Sequence, residues 1–85
     1  MRLRAPRNIR VNAIAPGMTR TPLYDAWLAQ HDNPAETERS VTTEIPLGRL
    51  AYPDDIAAAV SFLACDDAAY NTGASLPVDG GYAAR

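Results

Sequence analysis

The sequence predicts an α/β fold, a parallel βαβ crossover with a helical insertion between its first strand and its crossover helix. Three observations carry this. Ile9-Arg10-Val11-Asn12-Ala13-Ile14-Ala15 alternates like a strand, becomes apolar on both faces toward its end and stops at Pro16-Gly17. Behind Pro53, the residues Ile56, Ala59, Val60 and Leu63 fall at i, i+3, i+4 and i+7, the apolar stripe of an amphipathic helix. Ala74 to Val78 is a second short apolar run, closed by Asp79-Gly80-Gly81. Strands apolar on both faces belong to parallel sheets covered by helices, and parallel strands need a crossover.

In chain order, the first strand places Ile9, Val11, Ala13 and Ala15 on one face and Arg10, Asn12 and Ile14 on the other. Thr21-Pro22 supplies an N-cap hydroxyl and a proline at the first helical position, so a helix from Pro22 to about Gln30 is expected. Leu23 and Trp27, with Leu28 beside them, form its apolar side. Asn33-Pro34-Ala35-Glu36 repeats the start signal for a second helix to about Thr43. Val41 is its only large apolar residue, which predicts a surface position in a mobile excursion rather than a place in the core. Ile45 to Leu50 is turn-rich. Asp54 and Asp55 then face the positive end of the helix that Pro53 opens, and Asp66-Asp67 end it. Pro77 removes one ladder donor and assigns the last strand to a sheet edge. The expected unit is a right-handed crossover with a lid-like insertion over about residues 18–50.

Composition narrows the function. A chain of 85 residues holds one small domain, and 47% hydrophobic against 21% charged residues is globular rather than disordered material. A net charge of -2 argues against nucleic acid or an acidic membrane surface. All eight basic residues are arginine, which excludes Schiff-base chemistry, a P-loop lysine and a Tyr-Lys pair within this sequence. Cys65 alone forms no internal disulfide, and His31 alone anchors no His-rich metal site. No apolar run approaches the roughly 18 residues of a membrane span. Arg10 and Asn12 interrupt any signal-peptide core after the basic start, so a cytoplasmic location is expected.

The segment from Asn8 to Thr21, with Asn12-Ala13-Ile14-Ala15-Pro16-Gly17 at its centre, resembles the sixth strand and following loop of short-chain dehydrogenase/reductases. Pro46-Leu47-Gly48-Arg49, Pro53-Asp54-Asp55-Ile56-Ala57, and Thr72-Gly73 followed by Val78-Asp79-Gly80-Gly81-Tyr82 recur in the family's order and spacing. Each string alone is weak; four in order over nearly the whole chain are specific. The resemblance covers the C-terminal third of such proteins. It implies that residues 1–85 are a partial domain, the C-terminal βαβ piece of a Rossmann-type doubly wound parallel sheet. The family's glycine-rich loop, catalytic Asn and Ser, and Tyr-x-x-x-Lys pair precede this region, and Arg2 to Asn8 looks like the end of the helix that carries the pair. The residues four places beyond Tyr24, Tyr52 and Tyr70 are Leu28, Ile56 and Ala74, so no catalytic residue and no metal ligand is assigned here. The 85 residues alone are therefore expected to be inactive.

In that family the loop after the sixth strand closes over the nicotinamide end of NAD or NADP. The resemblance assigns cofactor contacts to Pro16, Gly17, Met18, Thr19 and Thr21, through the backbone at Thr19 and the hydroxyl of Thr21. Ligands of parallel sheets bind at the carboxyl ends of strands, and Pro16-Gly17 lets the backbone turn sharply there. Thr21 is equally suited to capping the helix at Pro22, and both roles hold in different ligand states. Leu23, Tyr24 and Trp27 fall in the family's substrate lid and are candidates to line a hydrophobic pocket; the alternative is that Leu23 and Trp27 pack the helix down. Asp54 and Asp55 are explained by the helix dipole, Cys65 by packing, and His31 by solvent.

The resulting expectation is the C-terminal segment of an NAD(P)-dependent oxidoreductase acting on a carbonyl or secondary alcohol. The alternative is a non-catalytic interaction or oligomerisation module, or a decayed remnant of such an enzyme. A bare strand edge predicts homo-oligomers or pairing with an N-terminal part, with the lid from Pro22 to Thr43 loosest.

Overall fold

The computed structural model describes residues 7–84. The readings placed on Arg2, Arg4 and the rest of the segment before Arg7 lie outside the described residues. The elements in order are β1 (Ala13–Pro16), α1 (Pro22–Ala29), α2 (Pro34–Thr43), α3 (Pro53–Ala64), a 3-10 turn at Asp66–Ala68, β2 (Ser75–Val78) and a 3-10 turn at Tyr82–Ala84.

Each α-helix opens on a proline, whose missing N–H has no partner to lose and whose fixed φ suits the first turn. The exposed N–H groups that follow are capped from the sequence. Thr21 Oγ1 accepts from the Tyr24 N–H at 3.1 Å and Asn33 Oδ1 from the Glu36 N–H at 3.2 Å. At α3 the direction is reversed, with Asp55 reaching back to accept the Tyr52 N–H at 2.7 Å. The Arg49 guanidinium, 3.0 Å from the same carboxylate, and then the Tyr52 N–H hold the Asp55 pKa below the ordinary range. Asp55 thus fastens the start of α3, and its role is structural.

β1 and β2 pair in parallel, with Ala13 opposite Ser75 and Pro16 opposite Val78. The ladder is bounded by the Ala13 N–H on the Ala74 carbonyl at 2.8 Å and the Gly17 N–H on the Val78 carbonyl at 3.0 Å. Alternate residues of a strand face the same neighbour in a parallel ladder, so Ala74, Leu76 and Val78 serve β1 and Pro77 turns its missing donor away from it. The edge assignment of Pro77 has this geometric basis.

The first strand is shorter than the alternation suggested, beginning at Ala13 rather than Ile9. Asn12 explains the difference. Its side chain donates to the Asn71 carbonyl at 3.1 Å and accepts from the Ala74 N–H at 3.0 Å, taking places that backbone groups fill in a ladder. Val11 keeps the alignment, donating to Thr72 Oγ1 at 3.1 Å and accepting from the Gly73 N–H at 2.7 Å.

α3 covers the sheet face that carries Ile14, Leu76 and Val78. Its stripe is half-buried at Ile56, Ala59 and Leu63, while Val60 is 50% exposed, so the stripe docks without closing a core. The opposite face, with Ala13, Ala15, Ser75 and Pro77, is open. The buried cluster lies instead in the insertion: Tyr24, Ile45 and Leu50, with Leu28 and Val41 packed against them. α2 keeps the expected surface position, burying no residue fully, while the remainder of the excursion carries the core. α2 does contribute only Val41, but Ile45 and Leu50, from the segment read as turns, supply the missing apolar volume. The docking face of α1 is corrected, because Tyr24 and Leu28 point inward at i, i+4 and Leu23 is 81% exposed.

The insertion enters and leaves through one neck. Thr19 and Ala51 form a parallel bridge, in which Ala51 donates to the Met18 carbonyl at 3.0 Å and accepts from the Arg20 N–H at 2.8 Å.

The Tyr24 hydroxyl is buried and has no hydrogen-bond partner among the described residues. Burial, and then the charge of nearby Glu38, raise its pKa above the ordinary 10.0. A raised folded pKa contributes stability below the ordinary value that is lost as pH rises through the folded one. Tyr24→Phe keeps the ring and deletes the orphaned hydroxyl, so it should leave stability unchanged or raise it by about 1 kcal/mol, whereas Tyr24→Ala should cost about 3 kcal/mol. The Phe variant should also lose less stability in strong alkali than the parent. Urea denaturation at neutral and alkaline pH measures both effects, and a Phe variant as unstable as the Ala variant would contradict this account of the cluster.

Candidate functional site

At the carboxyl ends of β1 and β2 opens a cleft of about 820 Å³. One wall is the end of β1 and its loop, Ala15 to Met18; the floor is Pro77 and Asp79; the far wall is α2, through Thr37, Ser40, Val41 and Glu44; Tyr82 and Ala83 close the side. Thr37, Ser40 and Val41 of α2 and its C-cap Glu44 stand at i, i+3, i+4 and i+7, one face of the helix.

The loop and the floor touch at Gly17. A Cβ there would lie 2.7 Å from Asp79 Cα and 2.8 Å from Asp79 Cβ, closer than real contacts allow, so only glycine permits this approach. Asp79 is itself immobilised. Its two carboxylate oxygens accept the N–H groups of Gly81 and Ala83, each at 3.0 Å, while the Gly80 carbonyl accepts the Leu47 N–H at 3.0 Å. Gly80 and Gly81 stand at φ of +63° and +93°, a turn that side chains with a Cβ rarely follow.

The residues expected to meet a cofactor divide between two surfaces. Pro16, Gly17 and Met18 line the cleft. Thr19 and Thr21, again with Pro16, line an apolar groove against Ile56, Ala57 and Val60 of α3. Thr19 Oγ1 donates to the Gly17 carbonyl at 3.0 Å, and Thr21 Oγ1 is engaged as the α1 cap. Leu23, Tyr24 and Trp27 line neither surface. Tyr24 is in the insertion core. The Trp27 ring lies between those of Tyr24 and His31, with centroids at 5.7 and 4.5 Å. Leu23 and Trp27 therefore do not pack α1 onto the core as a pair: Leu23 points to solvent and Trp27 remains 41% exposed.

The α2 wall went unnoticed in sequence because its four cleft residues differ in chemistry. Their helical spacing was the available signal. His31 is tied down, its Nδ1 standing 3.1 Å from the Trp27 carbonyl. Cys65 donates from Sγ to the Phe62 carbonyl at 3.2 Å, at the end of α3. Among the described residues no group of three or more His, Cys, Asp or Glu is placed to hold a metal, and no helix is long and apolar enough to cross a membrane.

The profile of the family described as enoyl-(acyl carrier protein) reductase matches residues 2–83. The 4-formylbenzenesulfonate dehydrogenase TsaC1/TsaC2 of Comamonas testosteroni is 47% identical over 77 residues, covering 91% of this chain and 30% of that protein. The 3beta-hydroxysteroid dehydrogenase 1 of Eggerthella lenta is 49% identical over 77 residues, covering 91% and 28%. Among solved structures, a short chain dehydrogenase family protein from Francisella tularensis superposes with a TM-score of 0.85 at 36% identity, covering 92% of this chain and 34% of that one. A putative 2-deoxy-d-gluconate 3-dehydrogenase from Agrobacterium tumefaciens, with bound NADP, gives 0.77 at 42% identity over 89% and 29%. The chain thus spans about 30% of the length of these two curated relatives. With the parallel sheet, the strand-end cleft and the glycine turns in place, these similarities show that the chain belongs to the short-chain dehydrogenase/reductase family.

Proposed function

We propose that these residues form the nicotinamide-facing loop and the substrate lid of an NAD(P)-dependent oxidoreductase that acts on a carbonyl or secondary alcohol. The observation that carries this reading is the cleft of about 820 Å³ at the carboxyl ends of two parallel strands, where Gly17 allows the loop to lie against the floor. A bound nicotinamide would supply the hydride-transfer chemistry. This chain's own residues would hold and orient it. The bridge at the neck uses the peptide groups of Ala51 and turns those of Thr19 to the opposite side, which fits a carboxamide that needs both a donor and an acceptor. Pro16, Gly17 and Met18 would pack against the ring, and Thr21 would offer its hydroxyl where it is released from the cap. None of these residues is proposed as the proton donor.

For the substrate, Thr37, Ser40, Val41 and Glu44 face the cleft directly, and their mixed character suits a small molecule with an apolar body and polar substituents. Leu23 and Trp27, exposed on α1, would meet only a substrate extending past that wall, and Tyr24 would act by holding α1. We place the protein in the reducing cytoplasm, in keeping with a lone Cys65. A second reading as an association module draws on one feature: Ile9 and Val11 ahead of β1, and Val60 on α3, are exposed apolar side chains, which suits a homo-oligomer contact or a further part of the same protein.

Thr21→Val in the whole protein should raise the Michaelis constant for the dinucleotide about fivefold, for a lost bond of roughly 1 kcal/mol, and cost a helix cap of similar size. Thr21→Ser keeps both oxygen functions and should match the parent. Steady-state kinetics with NADH and NADPH against carbonyl substrates make the comparison; equal kinetics for the Val and Ser variants, with only stability differing, would leave Thr21 a cap and nothing more. Gly17→Ala should impair both stability and dinucleotide binding, the first by about 1–3 kcal/mol, because the loop must move off Asp79. Thermal melting and dinucleotide titration read this out, and an Ala variant that matches the parent in both contradicts the close-approach account.

A further inference from the structure

Arg20 stands between Thr19 and Thr21, yet its side chain leaves that loop for the insertion. The guanidinium meets Asp25 of α1 at 3.1 Å, pairs with Glu38 of α2, and lies 5.5 Å from the centre of the Tyr24 ring. Its backbone N–H is anchored at the neck on the Ala51 carbonyl, 2.8 Å away. Arg20 therefore has a fixed base and a reach that spans both helices.

The attachment point on α2 gives this reach its meaning. Thr37, Ser40, Val41 and Glu44 face the cleft, whereas Glu38 and Thr42 face a separate groove that also contains Arg20 and Arg49. These sets lie on different sides of one helix. Arg20 thus grips α2 on its flank, beside the row of residues that lines the cleft. Among the described residues α2 buries no side chain fully, and its Val41 packs against the Tyr24 cluster.

We propose that Arg20 is a positioning residue that couples the loop carrying Thr19 and Thr21 to α2, so that occupation of the loop by a dinucleotide and closure of α2 over the cleft occur together. The coupling to a dinucleotide rests on the function proposed above; the latch itself does not. Breaking the Glu38 contact frees α2 to rock away from the cleft without disturbing the loop's own backbone bonds. Binding at Thr19 and Thr21 fixes the stem between which Arg20 sits, and the guanidinium passes that restraint to α2.

Hydrogen exchange read by mass spectrometry on the full protein tests this with NADH and NADPH as probes. Without dinucleotide, Glu38→Gln and Arg20→Met should each speed exchange across residues 37–44 by about two- to fivefold, the range for a partly exposed ion pair, and leave α3 unchanged. The double variant should be no faster than Arg20→Met, which already removes the Glu38 contact along with those to Asp25 and the Tyr24 ring. With dinucleotide at saturation, the parent should gain protection across residues 37–44 and Glu38→Gln should not, although its dinucleotide affinity stays within about twofold of the parent. The substrate Michaelis constant should rise in the same variant. Unchanged exchange in both single variants, additive effects in the double, or equal acceleration in α3 would overturn the latch. A parent that binds neither dinucleotide refutes the functional reading and with it the coupling, and the dinucleotide-free measurements alone then decide the latch.

Discussion

The contact between Gly17 and Asp79 sets where the two parallel strands end, and the cleft takes its shape from that point. A parallel pair aligns the carboxyl ends of both strands on one side of the sheet, so the segments leaving them must diverge or collide. Here they run together for one further residue because Gly17 has no Cβ to strike Asp79. Asp79 in turn is held by the N–H groups of Gly81 and Ala83, and Gly80 by Leu47 of the insertion. Loop, floor and insertion are thereby tied together through the Gly17–Asp79 approach, the Asp79 carboxylate and the Gly80–Leu47 backbone bond.

The insertion has a more independent architecture than a connecting loop. Its neck is a single parallel bridge, and its interior is the Tyr24, Ile45 and Leu50 cluster. Helices as short as α1 and α2 are unstable alone, and burial of one apolar face is what keeps them. The remaining constraint is electrostatic. Arg20 joins α1, α2 and the neck, and Arg49 with Asp55 fastens the exit from the insertion to the first turn of α3. Partly exposed ion pairs of this kind add little to stability, and these three lie near the entry to the insertion and its exit.

Helix starts were legible in the sequence because capping is local. Thr21-Pro22, Asn33-Pro34 and Pro53 with Asp55 each satisfy nearby N–H groups, and the structure begins its three α-helices at those prolines. The start of the first strand was not legible, since alternation from Ile9 onward is compatible with a ladder and only the neighbouring Asn71-Thr72-Gly73 shows that the Asn12 side chain replaces it. The inward face of α1 is not legible for a related reason. Leu23 with Trp27 and Tyr24 with Leu28 are equally good i, i+4 pairs, and which pair is buried depends on where Ile45 and Leu50 arrive from a distant turn.

What the sequence by itself determined is the set of local decisions: the prolines and caps that open the helices, the glycines that permit close approach and left-handed turns, the absence of lysine, and the four motifs that mark the family. Tertiary structure alone decided the rest. It assigned the core to the insertion, split Pro16, Gly17 and Met18 from Thr19 and Thr21 onto two surfaces, and turned the unremarked face of α2 toward the cleft. The physical reason is one of range. Capping and φ preferences act within a few residues, whereas burial and cavity shape arise from segments brought together across tens of residues, and several pairings satisfy the same local pattern equally well.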